Sequence, residues 1–182
     1  DADLVAQAVE HEATLDAAIL AALGSPDVRQ IDGLGGADPL TSKLAIVSKS
    51  ARDDADIDYT FGQVGIAAPA INYRVNCGNT AAAVGVYAVE EGIATFVEGT
   101  THVRIFSTNS GKHVVAEVPT ENGKVKTEGT YRVSGVPRPG PEIRLRFLEP
   151  AGGVTGKLLP TGSTTNEVTI SRGRRIELSV VD

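Results

Sequence analysis

Cys77 is the single cysteine of the chain, and it lies at a position where a thiol could move a proton. The β-leaning segment 71–75 precedes it, and the segment 81–92 that follows predicts a short apolar helix ending at a glycine. Cys77 is therefore expected near a helix N-terminus, where unpaired backbone N–H groups and the helix dipole favour the thiolate. The same N–H groups can hold a substrate carboxylate, so this turn is a candidate active site.

The residues that flank Cys77 separate two interpretations of this thiol. A lone cysteine is most often a small buried apolar residue with no chemical role. Asn76, Gly78 and Asn79, however, form a small polar turn that suits close approach by a ligand. Both interpretations stay open on the residues alone, with the two asparagines and the N–H of Gly78 as candidate carboxylate contacts.

Lys43 is the second candidate for acid–base chemistry. It opens an apolar strand predicted over 43–48, so its ammonium would lie at the edge between core and loop. Partial desolvation there lowers the pKa of a lysine and allows it to act as acid or base. The alternative is a strand-edge lysine that reaches solvent. Thr41 and Ser42, just before it, could donate hydrogen bonds to a carboxylate or satisfy the turn.

Weaker candidates lie outside these two segments. Asn109 belongs to the polar turn 107–111 between two predicted strands. A tight hairpin explains that turn without a ligand, and contact between Asn109 and a substrate is the other interpretation. The three histidines, His11, His102 and His113, show no metal-ligand spacing, so no metal site is predicted.

Composition limits the classes of protein that fit this chain. Its 182 residues, of which 41% are hydrophobic and 22% charged, indicate one soluble globular domain. A net charge of −6 argues against a nucleic-acid surface. No apolar segment is long enough to span a membrane, and a single cysteine excludes an internal disulfide framework. We therefore predict a cytoplasmic protein that binds neither nucleic acid nor membrane.

The order of predicted elements indicates an α+β domain with a mainly antiparallel sheet. An Ala- and Leu-rich helix is predicted over 4–23, and a second helix over 81–89. The predicted strands are 43–48, 57–66, 94–98, 102–107, 113–118, 130–134, 143–148, 167–170 and 175–181. Because the helix 81–89 is apolar on all faces, we expect it to be buried all round. A β-barrel wrapped around this central helix, with Cys77 at its mouth, would bury it in that way.

Five segments together resemble the PrpF family in their order and spacing. They are RQIDGLGG (29–36), TSKLAIV (41–47), NCGN (76–79) before an Ala-rich helix, NSGK (109–112) and LPTG (159–162). The family includes 2-methylaconitate isomerase, 4-oxalomesaconate tautomerase and methylitaconate isomerase, and it shares the fold of diaminopimelate epimerase. The resemblance implies two similar halves, each a β-barrel around a helix, with the active site in the cleft between them.

The ends of the chain and the resemblance together predict a piece of a longer protein. The chain contains no methionine and stops directly after a predicted strand. Residues 1–182 are expected to be the N-terminal domain of a two-domain isomerase, without its extreme N-terminus and its C-terminal domain. Because both missing parts should contribute to the substrate pocket, this piece alone is expected to be inactive or nearly so.

The activity that the resemblance implies is a 1,3-shift of a double bond in a small unsaturated di- or tricarboxylate, without a cofactor. Cys77 and Lys43 match the family's catalytic cysteine and lysine, and it stays open which is the acid and which the base. An amino-acid epimerase on the same fold is an alternative, although it would use a second cysteine and Lys43 argues against it. A binding protein with an inert Cys77 is the other alternative, and a homodimer is compatible with each function.

Overall fold

The computed structural model describes residues 12–149, 151 and 155–182, and in these residues two α-helices and nine β-strands follow one another. The helices are α1 (Glu12–Leu23) and α2 (Gly78–Glu90). The strands are β1 (Lys43–Lys49), β2 (Ile57–Val64), β3 (Ile71–Asn72), β4 (Gly99–Ser107), β5 (Lys112–Glu121), β6 (Lys124–Val125), β7 (Arg144–Phe147), β8 (Asn166–Thr169) and β9 (Arg175–Leu178).

Seven of these strands form one sheet in the order β1-β2-β4-β5-β6, with β3 also paired to β2 and β7 to β5. Its described pairs are antiparallel except β2–β4, which is parallel because β3 and α2 cross over between the two strands. The strands β8 and β9 form a separate antiparallel pair. The predicted α+β class with a mainly antiparallel sheet is therefore confirmed.

The predicted elements match the structure except at two strands. The helix at Cys77 is confirmed, and the first helix is confirmed over 12–23, while 4–11 lie outside the described residues. The strand predicted over 94–98 is wrong, because this segment is the exit from α2 and its N–H groups bond to Ala88 O and Thr101 Oγ1. The strand predicted over 130–134 is also wrong, since only an isolated bridge to Gly140 forms there.

One face of the large sheet and one face of α2 make the core. Alternation along β2 and β4 puts Ile57, Phe61, Val103 and Ile105 on this face, each at most 1% exposed. The helix buries Ala81, Val84, Gly85, Ala88 and Val89 against it, a spacing that follows the helical repeat. A Cβ added at Gly85 would lie 2.6 Å from the Cβ of Ala116, so this close approach requires glycine.

The described strands do not close into the barrel expected from the sequence. β1 and β6 are the two ends of the described sheet path, and no pairing joins them. The helix α2 is accordingly buried on one face only, because Ala83 and Tyr87 are exposed and line a groove beside β1. The expectation of a helix buried all round is wrong, since alanine and valine tolerate exposed positions and do not require a cover.

Candidate active site

Cys77 is the residue at which the chain turns from β3 into α2. It is the N-cap of the helix, with extended backbone angles (φ −136°, ψ 112°), and its carbonyl accepts the N–H of Ala81. The side chain makes no capping hydrogen bond, and the thiol is partly buried. The predicted position of the cysteine at a helix N-terminus is therefore confirmed.

Lys43 and Cys77 form a close pair although 34 residues separate them. The Lys43 Nζ atom lies 3.4 Å from the Cys77 Sγ atom. Lys43 is the first residue of β1, which pairs with β2 beside the core on which α2 packs. Because strand pairing fixes one residue and the helix start fixes the other, two rigid elements position the two groups.

The surroundings of Cys77 lower the pKa of its thiol. Burial of the sulphur acts in the opposite direction and raises this pKa. The hydroxyl and the backbone N–H of Thr80 lower it, and the Lys43 ammonium lowers it further through its hydrogen bond and its charge. The net shift is downward, so the thiolate fraction at neutral pH exceeds that of an ordinary cysteine.

A cavity of about 100 Å³ lies beside the thiol. Both polar and apolar residues line it, which is typical of sites for small ligands. Its polar residues besides Cys77 and Tyr59 are Asn76, Ser107, Ser110, Lys112 and His113, and its apolar residues are Ala81, Val114, Phe147 and Leu148.

Asn76 is the predicted contact residue that the structure does place in this cavity. Its Oδ1 accepts a hydrogen bond from Ser107 Oγ at 3.2 Å, which fixes the orientation of the side-chain amide. The Nδ2 group makes no hydrogen bond to another described residue. Asn76 can therefore offer two N–H donors to a bound carboxylate.

Gly78 and Asn79 form the exposed first turn of α2 and do not line the cavity. Their N–H groups belong to the first turn of a helix, which has no intrahelical acceptors for them. A Cβ at Gly78 would lie 3.9 Å from the nearest atoms of Leu145 and Phe147, an ordinary contact distance. A larger side chain would therefore fit at position 78 without a steric clash. Ligand contact by Gly78 and Asn79 stays a prediction.

Thr41 and Ser42 do not line the cavity, and their hydroxyls bond within the loop before β1. The hydroxyl of Ser42, which is fully buried, donates to Gln30 Oε1 at 2.9 Å, and that of Thr41 donates to Asp38 O at 3.1 Å. The structure thus favours the turn-satisfying interpretation, in which both residues fix where β1 and Lys43 begin. Substrate contact by either hydroxyl stays a prediction.

Asn109 is not brought into the cavity either. Its Oδ1 accepts the N–H of Phe61 at 2.7 Å. Its Nδ2 donates to the carbonyls of Phe61 and Tyr73 at 2.8 and 2.6 Å. The amide therefore joins the β4–β5 turn to β2 and to the segment that leads into Cys77, and its predicted contact with a substrate stays untested.

Sequence reasoning missed several residues of the site. Tyr59 could not be identified as a site residue, because it occupies a core position in the alternating pattern of β2. Ser110 and Lys112 belong to the segment 109–112 that carries part of the family resemblance, which was the available signal. Gln30, which is 1% exposed and accepts from Ala37 N–H and Ser42 Oγ, lies in the segment 29–36 that also carries part of the resemblance.

The described residues also bear on metal sites and membrane spans. Within 12–149, 151 and 155–182, no group of three or more His, Cys, Asp or Glu side chains could hold a metal ion. In the same part of the chain, no helix combines the length and the apolar character needed to cross a bilayer.

The fold and the Lys43–Cys77 pair define an α+β domain with a lysine–thiol site at a helix N-terminus. The model of the PrpF protein family matches residues 4–182, and the chain belongs to this family. The chain is 49% identical to 3-methylitaconate isomerase of Eubacterium barkeri over 92% of its own length, and 48% identical to 4-oxalomesaconate tautomerase of Pseudomonas putida over 82%.

A solved structure agrees with these sequence relationships. The crystal structure of methylitaconate-delta-isomerase superposes with a TM-score of 0.80 at 49% identity and covers 92% of this chain. This chain spans 43% of that structure, and 44% and 41% of the two relatives above. It therefore matches less than half of the length of each relative.

Proposed function

We propose that the protein to which this chain belongs is a cofactor-independent isomerase that shifts a double bond by 1,3-proton transfer. Its substrate is a small unsaturated di- or tricarboxylate of the 4-oxalomesaconate or 2-methylaconitate type. The observation that carries the proposal is the 3.4 Å contact between Lys43 Nζ and Cys77 Sγ at the start of α2. The names of the relatives support the same reaction class.

The chemistry needs two groups that can exchange a proton beside one small molecule. A proton on a carbon next to a double bond conjugated to a carboxylate is acidic, because its loss gives a delocalised dienolate. One member of the Lys43–Cys77 pair removes this proton, and the other donates a proton to the far carbon of the allylic system. A proton then passes between the two groups across their 3.4 Å contact. The double bond moves, both groups recover their starting protonation state, and no electrons leave the molecule.

The cavity beside Cys77, which Lys43 reaches through its contact with the thiol, fits a carboxylate with a short carbon skeleton. Lys112 brings a positive charge to its polar side, and Asn76 brings amide N–H donors. The N-terminus of α2 adds partial positive charge where the dienolate would form. Phe147 and Leu148 provide an apolar wall for the carbon skeleton.

The proposal assigns residues 1–182 to the N-terminal domain of a two-domain enzyme. The chain matches about two fifths of its relatives, which supports such an arrangement. In this proposal a second half completes the cleft above the cavity, and the closed barrel around α2 belongs to the complete enzyme. Residues 1–182 alone would then be inactive or nearly so.

Two other functions, an amino-acid epimerase or racemase and a binding protein, are the alternatives to this proposal. An epimerase or racemase would remove a proton from the α-carbon of an amino acid, and it would need a second acid–base group facing Cys77. A binding protein would hold the carboxylate without exchanging its protons. The lowered pKa of Cys77 beside the Lys43 ammonium favours proton transfer over binding alone. A lysine beside the thiol, where an epimerase would use a second cysteine, favours the isomerase over the epimerase.

Proton NMR of the full protein in D₂O tests the reaction. The panel is 4-oxalomesaconate, 2-methylaconitate, 3-methylitaconate and trans-aconitate, with diaminopimelate and proline as epimerase substrates. We expect migration of the double bond together with deuterium uptake for one acid of the first group. The signal should be lost in Cys77→Ala and Lys43→Ala and retained in Lys49→Ala, which removes an exposed lysine at the other end of β1.

The outcomes separate the three functions. Deuterium uptake at the α-carbon of an amino acid would replace the isomerase by an epimerase. A folded protein that exchanges no proton on any compound, yet binds one of the acids, would leave the binding protein as the function. Equal activity of Lys43→Ala and Lys49→Ala would remove the lysine from the mechanism.

A further inference from the structure

Tyr59 carries a buried hydroxyl that lacks a partner within the described part of the chain. The residue is 2% exposed, and its OH makes no hydrogen bond with any described residue. Thr80 lies close enough to lower the pKa of the phenol, but its hydroxyl and the phenol oxygen are not in hydrogen-bond geometry. A buried donor left in this state costs free energy, and folded proteins pair nearly all such groups.

The position of this phenol connects it with the reactive pair. Tyr59 lines the cavity beside Cys77, and its direct partner across the parallel β2–β4 pair is Ser107, which lines the same cavity. Among the other described residues of the cavity wall, Ala81, Val114 and Phe147 offer no side-chain acceptor, and the polar ones make no hydrogen bond with the phenol. The acceptor that Tyr59 lacks is therefore one that a cavity ligand can supply.

The phenol is suited to donate a hydrogen bond and unsuited to lose its proton. Burial raises the pKa of Tyr59, and the nearby charge of Cys77 raises it further. The hydroxyl therefore stays protonated throughout the pH range in which a thiolate and an ammonium act as a pair. A neutral O–H donor beside the thiol can serve an oxygen that becomes negatively charged during the reaction.

We propose that Tyr59 is a further catalytic residue, whose hydroxyl donates a hydrogen bond to a carboxylate or carbonyl oxygen of the bound acid. The bond strengthens as charge builds on that oxygen in the dienolate, and the phenol proton is not transferred. This inference rests on the proposed function, and it adds a donor opposite the helix N-terminus. The strand β2 holds the ring rigidly, so the donor is in place before the substrate binds.

The test uses Tyr59→Phe in the full protein, with Tyr87→Phe as the matched control. Tyr87 lies on α2 with its side chain 46% exposed and away from the cavity. We expect Tyr59→Phe to lower kcat about 100-fold with KM changed less than about threefold, as for the loss of one oxyanion donor. Tyr87→Phe should leave both constants unchanged.

Two further readouts exclude a structural role for the hydroxyl. Because the hydroxyl has no partner among the described residues, Tyr59→Phe should leave the thermal midpoint equal or higher, whereas loss of a structural bond would lower it. The rate at which iodoacetamide alkylates Cys77 should stay close to that of the unsubstituted protein. A kcat within about threefold of the unsubstituted protein would overturn the proposal. So would an alkylation rate that falls in parallel with kcat, since the phenol would then act on the thiol.

A last experiment distinguishes failure of this inference from failure of the proposed function. If the unsubstituted protein isomerises none of the acids, the proposed function fails on that result alone. Tyr59 is then judged by the protection of Cys77 against iodoacetamide that mesaconate provides. Protection that requires about tenfold more mesaconate in Tyr59→Phe supports the donor. Equal protection in the two proteins overturns it.

Discussion

The two parts of this chain differ in how they are held together. All the buried residues that the structure describes lie between Ile19 and Thr120, and from residue 121 onward no described residue is buried. We call residues 12–120 the packed region and the described residues from 121 onward the open region. In the open region, Val136, Leu158 and Val181 are each more than 50% exposed.

This difference shows which part of the chain fixes the chemistry. Lys43, Tyr59 and Cys77 all belong to the packed region, where β1, β2 and α2 meet around one core. The open region adds only the wall residues Phe147 and Leu148 to the cavity. Its strands β8 and β9 form a two-stranded sheet, which is marginally stable in water by itself. Proton transfer and stability should therefore respond to substitutions in the packed region far more than in the open region.

The largest expected effect is on turnover by the full protein. Cys77→Ala should lower kcat by about 10³-fold or more, because it removes one of two groups that must move the proton. Phe147→Ala, at the wall that the open region supplies, should raise KM by roughly 10-fold and change kcat little. Initial rates from the NMR assay or from ultraviolet absorbance give both constants.

A contrary result would weaken the division between the regions. If Phe147→Ala reduced kcat as strongly as Cys77→Ala, the open region would carry part of the reaction. Circular dichroism of both variants must first show an unchanged fold. Cys77 is only partly buried, so its replacement by alanine should not unfold the protein.

The second prediction compares one substitution in the two regions. Ile105 is 0% exposed and Ile170 is 39% exposed. Ile105→Ala should lower the free energy of unfolding by about 2–5 kcal/mol, through lost burial and the cavity left behind. Ile170→Ala should change it by roughly 0.5 kcal/mol or less. Urea unfolding measures both, and equal losses would show that the open region is packed in solution.

A third prediction compares two asparagines with different hydrogen bonding. The amide of Asn109 makes three hydrogen bonds to backbone groups of Phe61 and Tyr73, whereas the Nδ2 atom of Asn166 in the open region has no hydrogen-bond partner among the described residues. Asn109→Ala should cost about 2 kcal/mol of stability, because it leaves those backbone groups unpaired. Asn166→Ala should cost about 0.5 kcal/mol or less. A smaller loss for Asn109→Ala than for Asn166→Ala would contradict the anchoring role.

Local rules were enough to predict the helix at Cys77. Within about twenty residues the sequence contains a polar turn, an apolar helical repeat and a terminal glycine. Together these signals predict a helix, and the structure has a helix there. The fold class followed in the same way from the number of short alternating segments. The closed barrel could not be predicted in this way. An apolar surface on α2 is compatible with strands packed on all its sides, but it does not show that such strands are present.

Contacts between segments that are distant in sequence could not be predicted from local sequence patterns. The Lys43–Cys77 pair spans 34 residues, and it was expected only through the resemblance to the family. The anchoring role of Asn109 depends on groups 48 and 36 residues away along the chain. Tyr59 occupies a core position in the alternation of β2, and only the three-dimensional structure shows that its hydroxyl lacks a partner.

The smallest expected effect concerns the thiol itself and needs no substrate. The Lys43 ammonium is one of the groups that lower the pKa of Cys77, so Lys43→Gln should raise this pKa. The thiolate is the form that reacts with iodoacetamide. Below the ordinary thiol pKa, the variant should therefore be alkylated more slowly than the unsubstituted protein, and the two rates should converge at higher pH, where both thiols are ionised.

Lys112→Gln is the control for this measurement, because it removes a positive charge that lines the same cavity but does not contact the sulphur. It should shift the rate profile less than Lys43→Gln does. The Thr80 hydroxyl and N–H and the helix N-terminus remain in both variants, so the thiol pKa should stay below that of an ordinary cysteine. Superimposable profiles for Lys43→Gln and the unsubstituted protein would mean that the 3.4 Å contact does not persist in solution. In that case the Lys43–Cys77 pair would be less rigid than the core of the packed region. The difference in packing between the two regions would then not apply to the active site.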